Sequence, residues 1–313
     1  MGLCFVFPGQ GSQAVGMGKD LFDSFSEVKS LYAEASEALG YDVAELSFGG
    51  PADELNKTYR TQPCLLTASI AAYRALALKG ITPSAVAGHS LGEYSALVAA
   101  GSITFRDAVK MTETRGRIMQ EAAPEGAGLM AAILGLDRQV IDDTCRAVSS
   151  GYVAVANYNC PGQTVISGER AAVEEALNRL KEAGAKRALP LAVSVPSHCR
   201  LMEEAARKFE EAIRDVEIKD AGTAFVNNTG ARFITVAAEI RKALVLQLSR
   251  SVLWEDCVRT IAASGVTTFV EVGPGKVLSG LIKRIDPSAK LYNVENVETL
   301  DKTAAELLKG DLS

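Results

Sequence analysis

Two rhythms of apolar positions alternate along the first third of the chain. Residues 3–7 (Leu3, Cys4, Phe5, Val6, Phe7) form an unbroken apolar run that stops at Pro8-Gly9. Such a run predicts a strand buried on both faces and feeding a glycine-rich loop. Over residues 20–39, Leu21, Phe22, Phe25, Val28, Leu31 and Tyr32 recur at helical spacing and Gly40 closes the pattern. One long helix with a glycine cap is expected there. A second helix is expected over 65–79, after Thr61-Gln62-Pro63, then a strand at 85–87 and a helix at 91–100. Strand alternating with helix predicts an α/β protein whose parallel sheet is covered on both faces.

The middle of the chain follows a different order. After the break Pro124-Glu125-Gly126-Ala127-Gly128 come an apolar run at 129–134, a helix at 137–148 and an apolar run at 153–156. A turn at 157–162 leads to a strand at 164–167, an amphipathic helix at 169–182 and a last strand at 187–193. The order β-α-β-β-α-β is that of a ferredoxin-like unit. Residues 126–193 are therefore expected to be a small subdomain inserted into a larger one made of 1–125 and 194–313. The first grammar then resumes, with helices at 200–215, 237–248 and 253–263, strands at 224–226 and 267–272, and a helix from about residue 277. No internal repeat or low-complexity linker interrupts it.

Composition narrows the chemistry. The 313 residues are 48% hydrophobic, enough to bury a sizeable core, and carry 33 Lys+Arg against 38 Asp+Glu. A net charge of -5 argues against a surface that tracks phosphates, so no nucleic-acid partner is expected. The six cysteines are scattered with no C-x-x-C pair, which reads as small buried residues of a reducing compartment. The amino terminus lacks a basic segment, and no apolar run approaches the roughly 18 residues of a membrane helix. A soluble, cytoplasmic protein without a membrane partner is expected. Only two histidines occur, His89 and His198, so any imidazole base is one of these and a multi-histidine metal site is excluded.

Gly88-His89-Ser90-Leu91-Gly92 fits G-x-S-x-G, and it lies between an expected strand and an expected helix. In that setting the string predicts a nucleophile elbow at Ser90 rather than an ordinary glycine-serine turn. A serine nucleophile needs a base within hydrogen-bond reach. His89 is its neighbour, and neighbours on such a turn point apart. That leaves His198, where the chain re-enters the large subdomain, as the base and His89 as packing or loop support. Gly9-Gln10-Gly11-Ser12-Gln13-Ala14 also meets a dinucleotide fingerprint, but a helix stands where the second strand and its acidic residue are required. The alternative is that this loop turns a backbone N–H toward the elbow as one donor of an oxyanion hole, with Leu91 N–H as the other. Gly273-Pro274-Gly275-Lys276 lacks the glycine spacing of a phosphate loop.

Taken together, Phe7-Pro8-Gly9-Gln10-Gly11-Ser12-Gln13, Thr61-Gln62-Pro63, Gly88-His89-Ser90-Leu91-Gly92-Glu93, Arg115-Gly116, Asn157-x-Asn159, Val195-Pro196-Ser197-His198 and Glu271-Val272-Gly273-Pro274-Gly275 carry a resemblance. The chain resembles the malonyl-CoA:acyl carrier protein transacylase family over nearly its whole length. The resemblance implies an α/β-hydrolase-like large subdomain with a ferredoxin-like insert. It also implies Ser90 as nucleophile, His198 as base, the amides of Gln10 and Leu91 as oxyanion hole, and Gln247 supplying the carbonyl that orients the histidine. Arg115 would bind the malonyl carboxylate, since a guanidinium offers two parallel donors. Spacing alone does not separate Arg115 from Arg117; the choice rests on the resemblance.

The function so implied is two-step, ping-pong transfer of malonyl from malonyl-CoA to the phosphopantetheine thiol of acyl carrier protein, initiating fatty acid elongation. A coenzyme A thioester is then substrate, with no permanently bound cofactor and no metal, and a monomer is expected. Malonyl loading for polyketide synthesis, or hydrolysis by a serine thioesterase, are the alternatives. An acidic carrier would need local positive charge, for which Lys186, Arg187, Lys276, Lys283 and Arg284 are candidates.

Overall fold

The computed structural model describes residues 2–122, 126–191 and 195–309. Among them are ten strands: β1 (Gly2–Phe7), β2 (Ala85–Gly88), β3 (Gly128–Leu134), β4 (Val153–Cys160), β5 (Gln163–Glu169), β6 (Arg187–Pro190), β7 (Ala224–Val226), β8 (Phe233–Ile234), β9 (Val266–Val272) and β10 (Lys290–Val294). Six of them form one sheet in the order β10-β9-β1-β2-β7-β8. Its pairs are parallel except β7 with β8. Strand β1 is central, and its alternation divides the core in two. Phe5 and Phe7 pack with the helices Thr58–Leu78, Gly92–Ala99 and Phe105–Glu121 on one face. Cys4 and Val6 pack with Trp254, Val258 and Ile282 on the other. All four side chains are fully buried, as a parallel sheet covered on both faces requires.

The remaining four strands form an antiparallel sheet in the order β4-β5-β3-β6. Helices Arg138–Ala147 and Arg170–Glu182 cover one of its faces, burying Ile133, Ile141, Ile166, Val173 and Leu180 together. Asp137 caps the first of these helices by accepting from Gln139 N–H. The two sheets meet where β4 runs beside the large body. There Tyr158 N–H donates to Val252 O and Val252 N–H to Ala156 O. Arg284 adds a second tie, donating to Gln163 Oε1 and Pro161 O at the β4–β5 turn. The guanidinium is exposed and both acceptors are neutral, so its charge still faces solvent.

Several expectations change. The helix expected over 20–39 is two, Lys19–Ser24 and Ser26–Leu39, broken by the extended backbone of Phe25. Gly40 does cap the second, with φ 73° and its N–H on Ser36 O. The helix expected over 65–79 is Thr58–Leu78, with Pro63 inside it. A proline in the second turn forfeits one backbone hydrogen bond, and continuous burial from Thr61 to Ala72 outweighs that loss. The turn expected at 157–162 is mostly strand, because two register shifts let β4 continue to Cys160. The helix expected over 200–215 begins as a 3-10 turn, Arg200–Met202, and continues as Glu203–Ala212.

Six elements had no expectation: helices Val43–Gly49, Ala52–Leu55, Phe105–Glu121 and Val297–Lys309, and strands β8 and β10. In Phe105–Glu121 the buried stripe includes Thr112 and Arg115, so its apolar period is diluted. Residues 124–125 of the expected break, residues 192–193 of the expected strand, and the proposed subdomain edges at 125 and 193–194 lie outside the described residues.

Between β2 and the helix Gly92–Ala99 the chain passes hard against β1. A Cβ on Gly88 would lie 1.9 Å from Gly92 C, and one on Gly92 would lie 2.1 Å from Phe7 O. Both obstacles are backbone and cannot swing aside, so only glycine fits at either position. Gly92→Ala is therefore expected to destabilise the protein by about 1–3 kcal/mol. Gly280, helical and with open space around its Cβ position, is the contrast: Gly280→Ala should leave stability equal or raise it by up to about 1 kcal/mol. Thermal melts of the two variants check both signs.

Candidate active site

The turn between β2 and the helix Gly92–Ala99 places Ser90 at φ 51°, a left-handed conformation that a non-glycine residue adopts only when its surroundings enforce it. The enforcing groups are identifiable. Gly92 N–H donates to His89 O and Glu93 N–H to Ser90 O, closing the turn into the helix. From the neighbouring β7 end, Asn228 Oδ1 accepts Ser90 N–H at 2.7 Å while Asn228 Nδ2 donates to Gly88 O at 2.7 Å. One fully buried amide thus clamps the elbow on both sides.

His198 reaches Ser90 from the segment that follows the small sheet. Its backbone is also left-handed, at φ 59°, with its N–H on Leu248 O at 3.0 Å. The ring bridges two partners, with Nε2 2.8 Å from Ser90 Oγ and Nδ1 2.7 Å from Gln247 O. A carbonyl only accepts, so Nδ1 carries the hydrogen and Nε2 faces the serine as a proton acceptor. Gln247 is the last residue of the helix Ala237–Gln247. Its carbonyl is one of those a helix end leaves without an internal partner, and it sits at the negative end of the helix dipole. That end favours the imidazolium formed when His198 takes a proton. Burial and then the nearby Arg115 charge push the His198 pKa down to about 3.

Arg115 projects from the helix Phe105–Glu121 and is 1% exposed. It donates to Gln62 Oε1 at 2.9 Å, Gln247 Oε1 at 2.9 Å and Ser90 Oγ at 3.1 Å, while its buried Nε has no partner among the described residues. Arg117, two residues on, is exposed and pairs with Glu113 instead. Burial separates two arginines that spacing could not.

A cavity of about 220 Å³ opens over these groups, with Gln10, Ser90, Arg115, Asn157 and His198 on its polar side and Met119, Met130, Val165 and Val195 on its apolar side. Among the described residues, neither Gln10 N–H nor Leu91 N–H donates to a protein acceptor. Leu91 stands at the N-terminal cap of the elbow helix, where a free N–H favours developing negative charge. His89 also lines the cavity but does not reach Ser90 Oγ: its Nε2 is 2.9 Å from Asn159 Oδ1 and its ring meets the Trp254 ring edge-on. It supports the turn from the strand β4 side.

The pattern reading missed the roles of Asn228, Gln62 and Glu93. Gln62 and Glu93 stood inside strings that had been singled out, but nothing local shows that they are buried. Asn228 belongs to no string. Glu93 is 1% exposed, and both its carboxyl oxygens accept, from Asn228 N–H and from the Gln247 side-chain amide. Burial raises its pKa, against those two hydrogen bonds and the Arg115 charge, which lower it. Burial outweighs them and pushes the pKa up to about 8; with both oxygens facing donors and no acceptor for a carboxyl O–H among the described residues, the hydrogen-bond geometry favours the carboxylate. Among the described residues no cluster of three or more His, Cys, Asp or Glu could hold a metal ion, and no helix is long and apolar enough to cross a membrane.

Comparison with known proteins agrees with this geometry. Residues 4–302 match the family model of the acyl transferase domain. The malonyl CoA-acyl carrier protein transacylase of Escherichia coli K12 is 54% identical over 283 residues, 90% of this chain and 92% of its own length. An acyl carrier protein S-malonyltransferase structure from Vibrio cholerae superposes with a TM-score of 0.95 at 48% identity, covering 97% of this chain and all of that one. Another solved structure, of a type II PKS acyl-carrier protein in complex with its malonyl-transacylase, gives a TM-score of 0.96 at 48% identity over 98% of this chain and 100% of that one. An elbow serine, a histidine held by a helix-end carbonyl and a match spanning both sheets lead to one conclusion: the chain belongs to the acyl transferase family.

Proposed function

We propose that the protein moves a malonyl group from malonyl-CoA to the phosphopantetheine thiol of acyl carrier protein through a malonyl-Ser90 ester. The observation that carries this reading is the convergence of His198 Nε2 at 2.8 Å and a buried Arg115 at 3.1 Å on one serine oxygen. Ser90 Oγ attacks the thioester carbon as its proton passes to His198 Nε2. The oxyanion lies between Gln10 N–H and Leu91 N–H. On collapse the carbon–sulfur bond breaks and coenzyme A leaves with the proton from His198. In the second half the carrier thiol gives its proton to His198, attacks the ester carbon, and Ser90 Oγ leaves and is reprotonated. No permanently bound cofactor takes part; the coenzyme A thioester is substrate.

Arg115 pairs with the malonyl carboxylate. A buried guanidinium with only neutral acceptors around it is an electrostatic vacancy for an anion. The carboxylate also offsets the charge that helps depress His198, so a malonyl group strengthens the base that acts on it. A second reading, loading for polyketide synthesis, is favoured by the likeness to a transacylase that works with a type II PKS acyl-carrier protein. The two differ only in the carrier presented, and transfer rates to each carrier distinguish them.

We read the body formed by 1–125 and 194–313 as α/β-hydrolase-like and 126–193 as a ferredoxin-like insert, supported by the order β4-β5-β3-β6 with two helices on one face. The cavity lies at their junction. Carrier docking falls to the exposed Lys186, Arg187, Lys276, Lys283 and Arg284, and a cytoplasmic location fits six cysteines that are buried and unpaired.

Three outcomes test the mechanism. Malonyl-CoA alone should leave one malonyl adduct on the Ser90 peptide by mass spectrometry, and Ser90→Ala should leave none. Arg115→Ala should lower malonyl loading roughly 30- to 5000-fold, matching the about 2–5 kcal/mol lost when one partner of a buried ion pair is removed. Acetyl loading should fall far less, and an equal loss on both acyl groups would make Arg115 structural. Finally, His198 stays neutral below its ordinary value of 6.5 until about 3, so the serine acylation rate at low malonyl-CoA should show no His198 inflection near 6.5. Stability has the opposite dependence: the unfolded chain protonates this histidine near 6.5 and the folded chain does not, so folding weakens as pH falls through that window. Quenched-flow acylation and melts across pH 4–8 check the two together.

A further inference from the structure

We infer that Glu93 is a positioning residue for malonyl selectivity: it fixes the amide orientation of Gln247 and, through that amide, holds Arg115 open for the substrate carboxylate. The inference rests on the proposed role of Arg115.

The geometry is a three-part relay. The Gln247 Nε2 group donates to Glu93 Oε2 and to Ser90 O, at 2.9 Å for the latter, which leaves Gln247 Oε1 facing the Arg115 guanidinium at 2.9 Å. All three side chains are at most 1% exposed. A carboxylate can only accept, so Glu93 selects which end of the amide it meets. With the amide reversed, an NH2 group would face a guanidinium and an oxygen would face a carboxylate, two repulsions in place of two hydrogen bonds. Glu93 is itself anchored by Asn228 N–H, from the residue that clamps the elbow.

The relay resolves a conflict in the charge arrangement. A buried guanidinium needs negative charge nearby, because burying it alone is costly. A carboxylate in direct contact would occupy the fork that the malonyl group must enter. Among the described residues Arg115 has no direct carboxylate partner, and its acceptors are Gln62, Ser90 and Gln247. Glu93 supplies the countercharge one amide away. It steadies Arg115 without competing for it.

Glu93→Gln keeps shape and volume but offers one acceptor oxygen to two donors, so either Asn228 N–H or the Gln247 amide faces an NH2 group, and in the second case the Gln247 amide must turn over. In Glu93→Gln we expect the KM for malonyl-CoA in serine loading to rise about 10-fold, the effect of removing one charge-assisted hydrogen bond from the carboxylate's binding partner. Acetyl-CoA loading should fall less than malonyl loading; what it does lose reports the Gln247 bond to Ser90 O, which both acyl groups share. Glu93→Asp, which keeps an acceptor-only group on a shorter stem, should retain more malonyl preference than Glu93→Gln. In an Arg115→Ala background, Glu93→Gln should have no further effect on the malonyl KM, because the relay then ends on nothing.

Equal losses on malonyl- and acetyl-CoA in both Glu93 variants, or additive effects with Arg115→Ala, would overturn the inference. If Arg115→Ala itself spares malonyl selectivity, the role of Arg115 fails and the relay with it. If Arg115→Ala is selective and Glu93→Gln is not, only the role of Glu93 fails.

Discussion

Everything in the site depends on holding Ser90 in a left-handed backbone conformation. Such a residue costs about 1–3 kcal/mol, and the fold offsets that cost with contacts drawn from four parts of the chain. Gly88 and Gly92 let strand, turn and helix cross β1 at backbone contact. Asn228 ties the serine N–H to the strand that precedes it. Gln247 holds the serine carbonyl, and Glu93 holds both Gln247 and Asn228. The elbow is thus fixed by long-range side chains as much as by its own sequence, and the helix that follows it gains an N-terminus aimed at the reacting carbonyl.

How much of this was legible beforehand depended on the range of each interaction. The elbow is local: strand, glycine, serine, glycine and helix are consecutive, so their order was enough to place Ser90. His198 lies 108 residues from Ser90, yet scarcity identified it, because one of only two histidines was its turn-mate. The parallel sheet and the small antiparallel one were readable from the alternation of strand and helix. Arg115 was not separable from Arg117, since burial is decided by what packs against a helix rather than by its own spacing. Asn228 reaches across 138 residues as an ordinary amide among many, and no period or string could single it out. Pro63 misled for a related reason: tertiary burial overrode a local rule that normally ends helices.

The electrostatics of the site are organised around incompleteness. Arg115 is buried, charged and without a direct anionic partner among the described residues, and His198 is buried, neutral and a weak base. Each condition is unfavourable alone. On the proposed role of Arg115, a substrate carboxylate beside the guanidinium relieves both. By the same reading, one class of acyl group completes the charge balance that another leaves open, which is discrimination by electrostatics rather than by shape.

The partner of His198 Nδ1 has an unusual genetic property. Where a histidine is oriented by an aspartate, one base change can remove the acceptor. Here the acceptor is the peptide carbonyl of Gln247 at a helix end, and every amino acid that could be encoded at that position brings the same C=O. The side chain of Gln247 is exposed to mutation, but its carbonyl can be displaced only by moving the end of the helix. A substitution at this residue therefore touches the amide contacts to Arg115 and to Ser90 O while the carbonyl that orients the base persists.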